Sequence, residues 1–192
     1  MARPDTAALL ISAGMASIHA RGFAATGVQE ITAAAGVPKG SFYNHFPSKA
    51  AFGLAVLEAY WEASLPAIAL LGDSAMPAPA RLTRHFRAIQ DWLQGSGQEC
   101  GCLIGNFAVE APSAGPEIRA RVAQMMEHWN QAMAACLRQG AAAGTIRRDV
   151  APEDLAHWLL TAFQGSILRA KVETTPASFD AFHRAMARII GE

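Results

Sequence analysis

Residues 39 to 49 hold a dense set of groups able to hydrogen-bond an outside partner. Lys39 and Lys49 offer ammonium donors, Ser41 and Tyr43 hydroxyls, Asn44 an amide and His45 an imidazole. Helical spacing exposes Lys39, Ser41, Tyr43 and Asn44 and turns Phe42 and Phe46 inward. The chemistry on offer is recognition rather than bond-making. A cation, small residues and hydroxyls on a short helix held by a second helix suit a DNA major groove. Two flanking residues carry paired readings. Thr26 caps the helix that follows it, contacts a phosphate, or does both. Lys49 sits just inside a helix N-terminus, where a cation opposes the dipole, so either a DNA phosphate joins it there or it is simply solvated. Tyr43 and His45 likewise either reach outward or pack and cap within.

The elements that must position these groups are short. Val28, Ile31 and Ala35 form one apolar face at helical spacing. Gly36 ends that helix, because a left-handed residue after a helix is least costly as glycine. Pro38 favours the first turn of a second helix, expected over about residues 39 to 44. An earlier helix spans residues 4 to 21, with Leu10, Ala13, Ser17 and Arg21 near one stripe and Asp5 at its positive end. Gly22 closes it, Phe23 is expected to be buried, and Ser48 reads as the N-cap of the next helix.

This stretch resembles the DNA-binding segment of TetR-type transcriptional regulators. The matching run is Ala35-Gly36-Val37, Pro38, Gly40, Phe42-Tyr43, His45-Phe46 and Ser48-Lys49. Gly27 stands where the family usually places a capping Ser or Thr. Gly14 and Ser17 replace a common Ala and a larger apolar residue, so the first helix is expected to pack loosely. The resemblance implies an all-α fold: a three-helix helix-turn-helix domain over 1–47 and a ligand-binding and dimerisation domain over 48–192. It implies DNA contacts from Thr26, Val28, Pro38, Lys39, Gly40, Ser41, Tyr43, Asn44, His45 and Lys49. It also implies a homodimer on a near-palindromic double-stranded operator, a small-molecule effector that releases the DNA, and no cofactor, metal or catalytic residue.

The remaining chain continues the helical pattern. Residues 48 to about 71 form a long apolar helix that Pro66 is expected to kink or end. Residues 72 to 80 and 95 to 102 read as loops, with helices over 81–94 and about 103–110, the latter stopped by Pro112 and Gly115. A helix opened by Pro116-Glu117 carries Ile118, Val122, Met125, Trp129, Met133 and Cys136 at three- and four-residue steps. By the family layout, helices near 152–172 and 177–190 pair with their twofold mates. The apolar stripe of Leu155, Leu159, Phe163, Ile167, Phe179, Phe182, Met186 and Ile189 is assigned to that interface. Effector-pocket candidates are Trp61, Phe86, Phe107, Met125, Trp129, Met133 and Phe163, with Asn106 and Gln164 (and His85 and His128) as polar groups; the competing reading of each apolar one is a core residue.

Cys100, Cys102 and Cys136 are the cysteines. Cys102 falls where a helix begins, a setting that makes a thiol reactive. The segment 101–106 resembles a stretch in electrophile- and oxidant-sensing family members, so Cys102 joins the pocket candidates as a sensor of reactive small molecules; the alternative is a small buried core residue. A thiol-dependent helical enzyme is the competing function, but the sequence carries no Cys-x-x-Cys and no recognisable base.

Composition sets the remaining bounds. Just over half the residues are apolar and net charge is zero. Residues 1–50 are nevertheless net basic by two, with Arg3, Arg21, Lys39 and Lys49 against Asp5 and Glu30. So few cations bind DNA weakly, since phosphate neutralisation supplies most non-specific affinity; two heads on a dimer would meet the need. No apolar run is expected to reach the ~18 residues of a membrane span, no secretory signal opens the chain, and an odd cysteine count without a framework fits a reducing, cytoplasmic location.

Overall fold

The computed structural model describes residues 5–95, 101–173 and 175–191; Arg3 and Cys100 lie outside the described residues. The helices, in order, are α1 (Thr6–Arg21), α2 (Val28–Ala34), α3 (Lys39–His45), α4 (Lys49–Ala69), α5 (Ala78–Gly95), α6 (Leu103–Ala114), α7 (Pro116–Ala142), α8 (Pro152–Glu173) and α9 (Ala177–Ile190). No strand occurs among the described residues. The chain forms two compact units, Met1–Ala63 with Leu103–Gln124, and Ser64–Cys102 with Met125–Glu192. That division groups α6 and the start of α4 and α7 with the N-terminal helices, unlike the 47/48 boundary read from the family layout.

The first unit is built on aromatic packing. Leu10, Ile18, Ile31, Phe42 and Phe52 are almost completely buried. Asp5 is the N-cap of α1, its Oδ1 accepting from Ala7 N at 3.1 Å. Gly14 corrects the expectation of loose packing. A Cβ there would lie 2.2 Å from Cζ of Phe52, so the ring occupies the space a side chain would take. Phe52 in turn meets Phe42 and Phe46 at ring-centroid distances of 5.1 and 5.0 Å. Gly53 plays the same part for Phe23, whose Cε2 lies 2.6 Å from the position of its missing Cβ. Arg121 of α7 holds Glu58 of α4 with two parallel bonds, Nε to Oε1 and a terminal nitrogen to Oε2, a paired geometry stronger than a single contact.

One expectation about apolar length is corrected here. Pro66 and Pro112 lie inside α4 and α6, and α6 ends at Ala114, just before Gly115. Each proline gives up its own N–H bond, and only three and two residues of helix follow it. The continuous stretch Lys49–Gly72 is therefore 24 residues with a mean hydropathy of 1.4 in its most apolar window, long and apolar enough to cross a bilayer. Its apolar stripe serves as core instead: Phe52, Val56, Leu57, Tyr60 and Trp61 are buried.

The second unit closes around Phe86, Phe163, Phe179 and Phe182. Phe163 lies 4.7 Å from Phe86, 5.8 Å from Phe179 and 5.1 Å from Phe182, centroid to centroid. α8 and α9 pack on each other within the chain. This corrects the assignment of the interface stripe. Leu155, Leu159, Phe163, Ile167, Phe179, Phe182 and Met186 are buried inside the protomer, and Ile189 is half-buried. Periodicity marks a face that must be covered, and here the chain covers it itself. The outward face of α8 carries a different stripe: Trp158, Leu168 and Val172 are 44, 66 and 81% exposed, with exposed Thr161 and Gly165 between them. These positions recur at three- and four-residue steps.

Candidate nucleic-acid interface and thiol site

The corner between α2 and α3 follows from local chemistry. Gly36 adopts φ +67°. Val37 N donates to Thr32 O at 3.0 Å and Gly36 N to Ala33 O at 3.1 Å. This bond pair satisfies the last carbonyls of α2 and requires a left-handed residue at Gly36. Pro38 is the N-cap of α3, which opens at Lys39. Phe42 is fully buried and Phe46 nearly so, fastening α3 by one face. Lys39, Gly40, Tyr43, Asn44 and His45 are exposed, Tyr43 by 57%, while Ser41 and Val28 are half-buried. A Cβ on Gly40 would meet nothing within 4 Å.

Two predicted contacts sit elsewhere. Thr26 is fully buried and its hydroxyl donates to Gly22 O at 2.8 Å. It therefore does not cap α2, whose N-cap is Gly27 without a side-chain bond, and its hydroxyl is engaged within the head. Lys49 Nζ donates to Ala24 O at 3.0 Å and lies 4.8 Å from the centre of the Phe23 ring. Desolvation lowers its pKa, opposed by the nearby Glu110 carboxylate. Its charge is thus engaged within the head, which explains a lysine at that helix start without an outside anion. Ser48 caps α4, its Oγ accepting from Ala51 N at 3.0 Å. Arg21 pairs with Glu30, so Lys39 is the cation that α3 presents to solvent.

The effector candidates divide between the units. Trp61, Asn106 and Phe107 belong to the first, where Phe107 packs on Phe23 at 5.3 Å. Phe86, Cys102, Met125, Trp129, Met133, Phe163 and Gln164 belong to the second. Met125, Met133, Phe86 and Phe163 are core, with no measurable exposure. His85 is held on both sides: Nδ1 lies 2.7 Å from Ala67 O, and Nε2 accepts from Trp129 Nε1 at 2.8 Å. With the indole donating to Nε2, the proton resides on Nδ1. Burial pushes its pKa down to about 4. Cys102 is 6% exposed, and Gln164 Nε2 approaches its Sγ at 3.6 Å. Beside it, Gly101 adopts φ +72° and the Lys171 side chain fills the space of its missing Cβ. Leu93, Gln94, Gly101, Ile167, Ala170 and Phe179 line a small cleft of about 200 Å³, open space included. Cys136 is a core thiol whose pKa burial raises, opposed by Arg81. No group of three or more His, Cys, Asp or Glu that could hold a metal occurs among the described residues.

Helices packed around buried aromatics, with a short helix presented bare beyond a glycine corner, define a helix-turn-helix DNA-binding head on a helical body. The chain belongs to the TetR family of bacterial regulatory proteins. The family profile described as "Bacterial regulatory proteins, tetR family" matches residues 10–56, and "Tetracyclin repressor-like, C-terminal domain" matches residues 78–186. The chain is 41% identical to the HTH-type transcriptional repressor DhaR of Mycobacterium sp. (strain GP1), over 95% of this chain and 90% of that protein. It superposes on the regulatory protein TetR from Rhodobacter sphaeroides with a TM-score of 0.89 and 34% identity, covering 95% of this chain and 97% of that one. It also resembles the reduced form of E. coli NemR, with a TM-score of 0.85 and 25% identity, covering 97% and 98%.

Sequence reasoning missed several site residues. Glu110 bonds the turn after α1 from a helix more than eighty residues away. Thr32 is buried, its hydroxyl turned back on Val28 O and Gln29 O. Glu110 left no local signal; for Thr32 the i−4 spacing to Val28 was the available clue.

Proposed function

We propose that the chain is a ligand-responsive transcriptional repressor that binds double-stranded DNA as a homodimer. The observation that carries this is α3: fastened by Phe42 and Phe46, it turns Lys39, Gly40, Tyr43 and Asn44 outward with no chain of its own covering them. Residues 1–47 act as the DNA-binding part and 48–192 as the effector-binding and dimerisation part. One head presenting Lys39 alone on α3 neutralises few phosphates. Two heads about one DNA turn apart, ~34–36 Å, or a multiple of it, give both affinity and a near-palindromic operator. The second copy sits on the outward stripe of Trp158, Leu168 and Val172, since the inward stripe is already used. A regulator of this kind works in the cytoplasm.

The effector is small, and Cys102 is its point of attack. In support, Cys102 directly precedes α6 and follows Gly101, which lines a small cleft, and Gln164 already orients toward the sulfur. An enzyme built on Cys102 gains no support, because the amide of Gln164 cannot take the thiol proton. To release DNA, the modified protein must favour a head spacing that misfits the operator, for a ligand indifferent to the two states shifts nothing.

A mobility shift with the duplex upstream of the chain's own gene tests this. Lys39→Ala and Tyr43→Ala weaken binding, and each phosphate charge pair lost with Lys39 lowers the salt slope by ~0.9. The thiol-selective electrophile N-ethylmaleimide releases the wild type but not Cys102→Ser. Equal release of both proteins would remove Cys102 from the mechanism, and equal affinity of both α3 variants would remove α3 from the groove.

A further inference from the structure

The turn from Gly22 to Gly27 sets where α2 begins, and α2 sets α3. The turn has few internal bonds of its own: Thr26 Oγ1 donates to Gly22 O at 2.8 Å. Its remaining anchors come from α6 and α4. Glu110 of α6 accepts from Phe23 N at 2.8 Å through Oε1 and from Ala24 N at 2.6 Å through Oε2. Lys49 of α4 donates to Ala24 O at 3.0 Å, and its charge is felt by the same carboxylate. One peptide segment is therefore gripped on its amides by an anion and on its carbonyl by a cation.

The surroundings are cut to fit this grip. Gly22 adopts φ +91°, and a Cβ there would stand 2.6 Å from Oε1 of Glu110. Glycine at this position both permits the backbone and leaves room for the carboxylate. Phe23 is buried, with its ring tilted against Phe107 at a centroid distance of 5.3 Å, one helical turn before Glu110 on the same face of α6. Without the carboxylate, the Phe23 amide would lie partly buried with no acceptor, a costly state.

We infer that Glu110 is a positioning residue for operator recognition: its carboxylate fixes the Gly22–Gly27 turn, and through it the pose of α2 and α3, without touching DNA. The inference rests on the repressor function proposed above. It assigns to α6 the means of loosening the head, since displacing one side chain frees two amides at once.

The experiment compares full-length wild type, Glu110→Gln and Gly22→Ala, with Arg121→Gln as a control that loses a bond to Glu58 in the same unit but none to the turn. Glu110→Gln keeps the shape but offers a single oxygen where two amides need acceptors. Affinity for the labelled upstream duplex is read across a salt series, alongside amide hydrogen exchange and circular dichroism. Expected for Glu110→Gln are affinity about tenfold weaker, inside the ~5–150-fold range of intramolecular couplings, and faster exchange at Phe23 and Ala24. The salt slope stays unchanged, because no phosphate contact is lost. Gly22→Ala reaches the same result by pushing the carboxylate away, and Arg121→Gln keeps wild-type affinity. Glu110→Gln binding like the wild type, or Arg121→Gln losing as much affinity, overturns the inference while the repressor function stands. Wild type that ignores the duplex overturns both.

Discussion

The indole N–H of Trp129 donates to Nε2 of His85 across 2.8 Å, so the imidazole keeps its proton on Nδ1, against Ala67 O. Protonating His85 would turn Nε2 into a second donor facing the indole N–H, and burial adds to the cost. Its folded pKa is about 4 against an ordinary 6.5. The unfolded chain therefore binds the extra proton first. The stabilisation is complete above pH 6.5 and is lost progressively as pH falls toward 4, by about 3 kcal/mol in all. Urea unfolding of the wild type and of His85→Gln across pH 4–8 checks it. The wild type should show the steeper loss below pH 6.5, and equal slopes would exclude His85 as the source.

Gly14 and Phe52 make a second prediction. A methyl at Gly14 collides with Cζ and Cε1 of Phe52 at 2.2 and 2.6 Å. Phe52 is locked between Phe42 and Phe46, so it cannot swing clear cheaply. Gly14→Ala should destabilise by about 1–3 kcal/mol, the usual cost of overpacking, despite alanine's better helix propensity. The thermal midpoint measures this. A midpoint at or above the wild type would mean that the ring moves freely.

The outward stripe of α8 makes a third. Leu168 and Val172 are 66 and 81% exposed in the protomer, an unusual place for two large aliphatics one turn apart. Leu168→Glu should yield a folded monomer, seen as half the mass by light scattering with helical circular dichroism kept. Leu159→Glu should instead unfold the second unit, since Leu159 is fully buried inside it. A dimeric Leu168→Glu protein would place the second copy on another face.

These outcomes track what the sequence could and could not disclose. The α2–α3 corner was legible because Gly36, Pro38 and the Phe42–Phe46 pair act over a few residues, and the bonds that close it are local. Helix identities followed for the same reason. Which partner covers a stripe was not legible: periodicity says that Leu159 and Phe163 are buried, and is silent on whether their own chain or a copy buries them. Thr26 and Lys49 were misplaced because their partners, Gly22 O and Ala24 O, are defined only once the turn has folded. Glu110 was invisible because its contacts span 86 and 87 residues. Gly14 was read as a loss of packing, when the missing Cβ admits a ring from another helix.

Gly40 sets stability against function most directly. It lies inside the short helix α3, where glycine costs roughly 0.5–1 kcal/mol against alanine. Beyond its own helix backbone and chain neighbours, no atom stands within 4 Å of the Cβ it lacks, so packing does not demand glycine there. On the DNA-binding function proposed above, the bare backbone at Gly40 serves an outside surface that comes close to α3, as a base edge in the major groove would. Gly40→Ala should raise the thermal midpoint by about 2 °C, the shift expected of a gain under 1 kcal/mol in a chain of this size. The same methyl should cost about 1–3 kcal/mol of operator binding, comparable to losing one good base contact. Differential scanning fluorimetry and operator titration on a single preparation test both signs together. Higher stability with unchanged affinity would leave Gly40 outside the contact surface, and the groove face of α3 would then have to be drawn through Tyr43 and Asn44 instead.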